Sequence, residues 1–148
     1  MSTRMSREER ETFLADRHVG VICIEDPSRA PLAAPIWYDF EPEIGVWILT
    51  AKSSRKGVLL ERAGRYSLVA QSEDIPYKYV SVEGPTRDVR KADEEKDTRP
   101  MAHRYFGREL GDAYVDSESG DESFVYVMQP ERWLTVDYAK LRGPLAGS

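Results

Sequence analysis

Apolar residues in this chain gather in short, β-rich runs between turn-forming residues, a pattern that predicts a largely β protein. Ser6 and Glu9 form a capping box ahead of Phe13 and Leu14, which predicts a short helix from about Arg7 to Asp16. Val19–Ile24 shows polarity on neither face and predicts a central, buried strand. Pro31–Glu41 and Val46–Thr50 flank a loop holding Pro42 and Gly45, which predicts a hairpin. Ser53 and Ser54 can cap a short helix carrying Val58, Leu59 and Leu60, with Gly64 as its stop. Tyr66–Ala70 reads as a strand. Tyr79–Gly84 alternates, with Val80 and Val82 on one face, and is expected to run past Pro85 to about Val89 as an edge strand. Ala92–Tyr114 is helical in composition but interrupted at Pro100 and Gly107. An acidic loop, Asp116–Ser123, leads to a strand at Phe124–Met128, which Trp133–Val136 extends or follows.

These elements predict a mainly β fold of roughly six antiparallel strands with short helices, closed toward a barrel so that few edges are exposed. The 148 residues suit one domain, 1–148, with disordered tails at 1–5 and 143–148. No apolar run reaches the roughly 20 residues of a membrane span. The single cysteine, Cys23, excludes a disulfide framework and reads as a small buried hydrophobe, which fits a cytoplasmic protein. The net charge of −5 argues against a nucleic-acid binder. His18 and His103 have no partners at metal-ligand spacing, and no Ser-His-Asp or Cys-His set supports hydrolysis.

Candidate chemistry is concentrated at Thr50-Ala51-Lys52-Ser53-Ser54-Arg55-Lys56-Gly57, which joins a strand to a helix. First turns of helices favour carboxylates, yet Lys52, Arg55 and Lys56 crowd this one. An anion would reverse the penalty. The hydroxyls of Thr50, Ser53 and Ser54, the first-turn N–H groups and the adjacent cations would then make a phosphate cradle. A solvated basic patch behind an ordinary Ser cap is the alternative. On the cradle reading, Arg55 is the costlier loss, because its planar fork binds phosphate in a bidentate way. Removing Arg55 or Lys56 is then expected to leave the ligand-free protein as stable as before, or slightly more so.

Thr50 followed by Ser54-Arg55-Lys56 and a Leu-rich helix resembles the pyridoxamine phosphate oxidase-like split-barrel superfamily. Pro35-Ile36-Trp37-Tyr38, Lys78-Tyr79-Val80-Ser81-Val82-Glu83-Gly84 and Pro130-Glu131-Arg132-Trp133 resemble its other recurrent blocks, so the resemblance spans roughly Arg7–Asp137. It implies an FMN-binding type of split β-barrel in which Thr50 and the Ser54-Arg55-Lys56 triplet hold the cofactor's phosphate. The Lys78–Gly84 block is most similar to the flavin/deazaflavin oxidoreductase branch. That branch implies a reductase using coenzyme F-420, with FMN-dependent oxidoreduction and non-catalytic cofactor binding as alternatives. True pyridoxamine phosphate oxidases carry a substrate-phosphate site near their C-terminus, which is not found after Trp133. The resemblance further implies that Trp37 flanks the flavin ring, that Lys52 meets the cofactor's acidic tail and that Lys78 touches either the ring or that tail. Gln71 could reach the ring edge from a strand end, and Arg104-Tyr105-Phe106-Gly107 packs near the site or folds over it. The substrate would be a small electron-poor organic molecule and the assembly a homodimer, its face sealed by Trp37, Tyr38 and Trp133.

Overall fold

A computed structural model describes residues 2–118 and 120–141 of the chain. The described strands are β1 (Gly20–Ile24), β2 (Leu32–Ile36), β3 (Tyr38–Glu41), β4 (Gly45–Ala51), β5 (Arg65–Ser72), β6 (Lys78–Lys91), β7 (Ser123–Met128) and β8 (Arg132–Asp137). The helices are α1 (Arg7–Ala15), α2 (Arg55–Ala63) and α3 (Arg99–Ser117). All pairings are antiparallel, in the order β2-β1-β5-β6-β7-β4-β3, with β8 also on β6. The first half of β6 lies between β5 and β8, and its second half pairs with β7 after a register shift between Thr86 and Asp88. One long strand thus serves two half-sheets, and the result is a split β-barrel. Its core includes Leu14, Ile22, Ile48, Leu68, Val80 and Val82, all fully buried. The hydroxyl of Tyr66, also buried there, meets the carbonyls of Val46 (3.2 Å) and Tyr126 (3.0 Å), tying β5 to β4 and β7.

The local signals for α1 hold as read. Ser6 Oγ accepts from the Glu9 N–H and Glu9 answers by accepting from the Ser6 N–H, while Phe13 and Leu14 are buried. Several longer-range expectations are corrected. There are eight described strands rather than six. The run Pro31–Glu41 divides at Trp37, because β2 pairs with β1 while β3 pairs with β4. The first half of β6 is central, between β5 and β8, while past Pro85 it pairs among the described residues with β7 alone, the edge position expected there, and runs on to Lys91. Pro85 sits opposite Arg65, the first residue of β5, where β6 leaves one half-sheet for the other and a missing N–H costs little. β1 lies inside the sheet but is buried on one face only, so Val21 is exposed and Cys23 half-buried.

Within the segment 1–5 expected as a tail, Thr3 and Met5 make contacts with β8. Met5 is buried and its N–H donates to Thr135 Oγ1 (3.0 Å), while the Asp137 N–H donates to the Thr3 carbonyl. The expected tail at 143–148 lies outside the described residues. Tyr38 is fully buried, its hydroxyl donating to the Leu14 carbonyl (2.8 Å), and Trp133 packs edge-on against Phe40 beneath the Arg10 guanidinium. Tyr38 thus has no ring surface left for a partner, whereas Trp133 is half-buried. One open apolar surface is the outer sheet face, where Val21 neighbours Pro35 and Val69, and Leu134 neighbours Ser81.

Candidate functional site

The β4–α2 junction is built by its own hydroxyls. Ser54 Oγ donates to the Ala51 carbonyl (2.6 Å) and accepts from the Gly57 N–H (3.0 Å), with Thr50 Oγ1 at 2.9 Å. Gly57 is required by space. A Cβ there would lie 2.2 Å from the Ala51 carbonyl oxygen. The first turn of α2 contains no acidic residue, and the N–H groups of Arg55 and Lys56 find no acceptor among the described residues.

The residues singled out by sequence separate around this turn. Lys56 and Trp37 line one cavity of about 460 Å³. Thr50 and Ser54 shape the turn itself. Ser53 donates to Asp121 Oδ2 (2.9 Å), and Asp121 is a further wall of the cavity. Lys52 places its ammonium over the Phe124 ring, 4.5 Å from the centroid. Arg55 turns away and pairs with Asp26 (3.1 Å). Ser28 holds the same carboxylate through its N–H (3.0 Å) and its hydroxyl (2.8 Å), so Asp26 stays ionised well below the usual carboxylate range, chiefly through the Ser28 N–H. Lys78 opens β6 opposite Asp137, beside Asp16, and is not part of the cavity wall. Gln71, the penultimate residue of β5, is exposed and likewise outside that wall.

Lys56, Thr98, Glu118, Asp121 and Ser123 supply the polar lining of the cavity, while Val19, Pro35, Ile36, Trp37, Leu49, Met101 and Tyr114 supply its apolar lining. The wall carrying Met101 and Tyr114 is stiffened by α3, which doubles back at Gly107 (φ 82°), so that residues 99–106 and 108–117 form two limbs. Arg99 ties the limbs together by bonding Asp112 (3.0 Å) and Asp116 (2.9 Å), and His103 Nε2 adds a contact to Asp112 at 2.6 Å. Tyr105 stacks on Trp37 with centroids 5.1 Å apart and planes 6° apart, Phe106 meets the indole edge-on at 4.9 Å, and Tyr114 lies at 5.5 Å. The Tyr105 hydroxyl binds the carbonyls of His18 and Tyr38 and accepts from the Tyr38 N–H. Arg104 caps the carbonyls of Ala15, Asp16 and Tyr38. Trp37 therefore meets the cavity as a wall fixed from behind.

Sequence reasoning missed Asp26, Asp121, Tyr114 and Met101. Tyr114 had a readable signal, since it falls in the same helical stretch as Tyr105 and Phe106 on the far side of Gly107. Asp26 had none, because only the β1–β5 pairing and the packing of α2 bring that turn beside Arg55.

A family profile described as pyridoxamine 5'-phosphate oxidase matches residues 6–137. No curated protein matches the chain. Among solved structures, a conserved hypothetical protein of Mycobacterium tuberculosis is similar over 95% of this chain and 89% of its own, with a TM-score of 0.76 and 23% identity. An F420 reductase is similar over 87% of this chain and 98% of its own, with a TM-score of 0.61 and 15% identity. An FAD-binding protein of Mesorhizobium loti is similar over 88% and 94%, with a TM-score of 0.57 and 15% identity. At these identities the likeness is one of fold. Among the described residues no helix is long and apolar enough to cross a membrane.

Proposed function

The chain belongs to the pyridoxamine 5'-phosphate oxidase family, and from that premise we propose that it is a homodimeric, cytoplasmic reductase using a deazaflavin of the coenzyme F-420 kind. The observation that carries this reading is the single cavity joining Lys56, at an α2 first turn free of carboxylates, to the rigid Trp37 wall. Such a cavity fits a phosphate at one end and a flat ring at the other. Lys56 and the N–H groups of Arg55 and Lys56 would hold the phosphate, with Ser54 and Thr50 fixing the turn that presents them. Trp37 would set the plane of the ring, and Lys52 would attract an acidic tail from the rim.

When bound and reduced, a deazaflavin supplies a hydride to an electron-poor acceptor such as an activated C=C bond. The chain's own work is orientation and exclusion of water by Trp37, Ile36, Leu49 and Met101. The two-fold partner would cover the outer sheet face around Val21, Pro35, Val69 and Leu134, in place of the residues expected from sequence.

Purification from a host that makes both F-420 and FMN, followed by absorbance and mass of the retained ligand, tests the assignment. Apo-protein titration with each cofactor and turnover with an enone complete it. Tighter FMN binding moves the protein to flavin chemistry on the same scaffold. Tight cofactor binding without turnover of any acceptor makes it a binding protein.

A further inference from the structure

On the outer side of the α3 hairpin, beside the cavity, lies a second, smaller groove of about 330 Å³ formed by Phe106, Leu110, Ala113, Tyr114 and Ser117. Its large side chains are unusually open to water for apolar residues: Leu110 is 66% exposed, Phe106 43% and Tyr114 39%. Clustered exposure of this kind marks a binding surface rather than a folding need. The backbone beneath it is not loose, because Arg99 and His103 lock the two limbs through Asp112. The side chains are therefore held out in a fixed array.

Two facts connect this groove to the cavity. Tyr114 is a wall of both, and Phe106, on the groove side, packs edge-on against Trp37 on the cavity side. A molecule that leaves the cavity past Tyr114 therefore meets Phe106 and Leu110. Both hydroxyls of the groove are engaged: that of Ser117 on the Tyr114 carbonyl (2.9 Å) and that of Tyr114 on the Glu118 carboxylate. The groove therefore has little use for a polar substituent.

We infer that the acceptor substrate is amphiphilic, a conjugated ring held in the cavity over the cofactor ring and bearing an apolar chain that runs over Tyr114 into the Phe106–Leu110 groove. This rests on the reductase reading for the identity of the reaction, but the groove can be tested without it. The probe is a homologous series of 4-alkylcyclohex-2-enones, with chains of one to eight carbons. Binding to the apo-protein is followed through tryptophan fluorescence, and reduction is followed with reduced F-420.

A methylene fully removed from water improves affinity about fourfold, and one lying in an open groove about twofold. Kd is therefore expected to fall about twofold per carbon over the first four carbons and then level off, with kcat/KM rising in parallel. Leu110→Asp, at an exposed position that leaves the fold intact, should flatten the series while the methyl compound and F-420 bind as before. A flat series in the wild type overturns the inference, as does a slope that survives Leu110→Asp. If Leu110→Asp changes the oligomeric state, the groove is a contact between copies and the inference is equally lost. Failure of F-420 to bind, with the chain-length slope intact, would sink the reductase reading alone.

Discussion

Replacing Lys56 by alanine is the sharpest test of the anion site, because Lys56 alone of the two adjacent cations faces the cavity. Arg55 is already bound to Asp26 at 3.1 Å. A charge-assisted hydrogen bond to phosphate contributes roughly 1.5–3 kcal/mol, so Lys56→Ala should weaken binding of a phosphate-bearing cofactor about ten- to hundred-fold. Arg55→Ala should weaken it less, within about tenfold, which reverses the order that the sequence alone suggests. Stability should separate the pair in the opposite sense. Lys56 opposes the α2 macrodipole without a carboxylate partner among the described residues, so its removal should leave the apo-protein unchanged or stabilised by up to about 1 kcal/mol. Arg55 is 44% exposed in its pair with Asp26, so that contact contributes at most about 1 kcal/mol, and its loss should lower Tm by roughly 2–4 °C. The assays are cofactor titration by fluorescence and thermal melting of both apo variants. If Lys56→Ala binds cofactor as the wild type does, the phosphate does not sit on α2. If both variants melt early with unchanged affinity, the cations are structural.

Further outcomes follow from other parts of the fold. Gly84→Ala should destabilise by roughly 3 kcal/mol or more in denaturant titration, because a Cβ there would lie 1.8 Å from the Gln129 carbonyl oxygen at the point where β6 changes sheets; a near-neutral result would mean that this crossing is looser than described. Glu9 is held down to a pKa of about 2, first by the Ser6 N–H and then by Lys140, so its contribution to stability is present above pH 4.5 and is lost as pH falls from there toward 2. Glu9→Gln should flatten that part of an acid-unfolding curve, and an unchanged curve would remove the capping box from the account. Leu134→Asp on the outer sheet face should give a monomer in light scattering at micromolar concentration, whereas a persisting dimer would place the interface elsewhere.

What the sequence determined by itself was local. The capping box at Ser6 and Glu9, the Ser54 cap, the Gly64 stop and the break at Gly107 were all legible, because each is decided by backbone groups within a few residues of one another. The alternation of Val80 and Val82 was legible for the same reason, since pleating alone sets which side chains share a face. Which strands pair was not. Trp37 divides one β run into two strands, and β6 joins two half-sheets, because hydrogen-bond partners arrive from far along the chain. The candidate site divides the same way. The run of hydroxyls and cations that suggests an anion seat was legible as a sequence. Only tertiary packing turned Arg55 onto Asp26, left Lys56 facing the cavity, moved Lys78 to another crevice and brought Tyr105 and Phe106 against Trp37. A charge can be read from one residue, but the direction in which it points depends on the neighbours that the fold supplies.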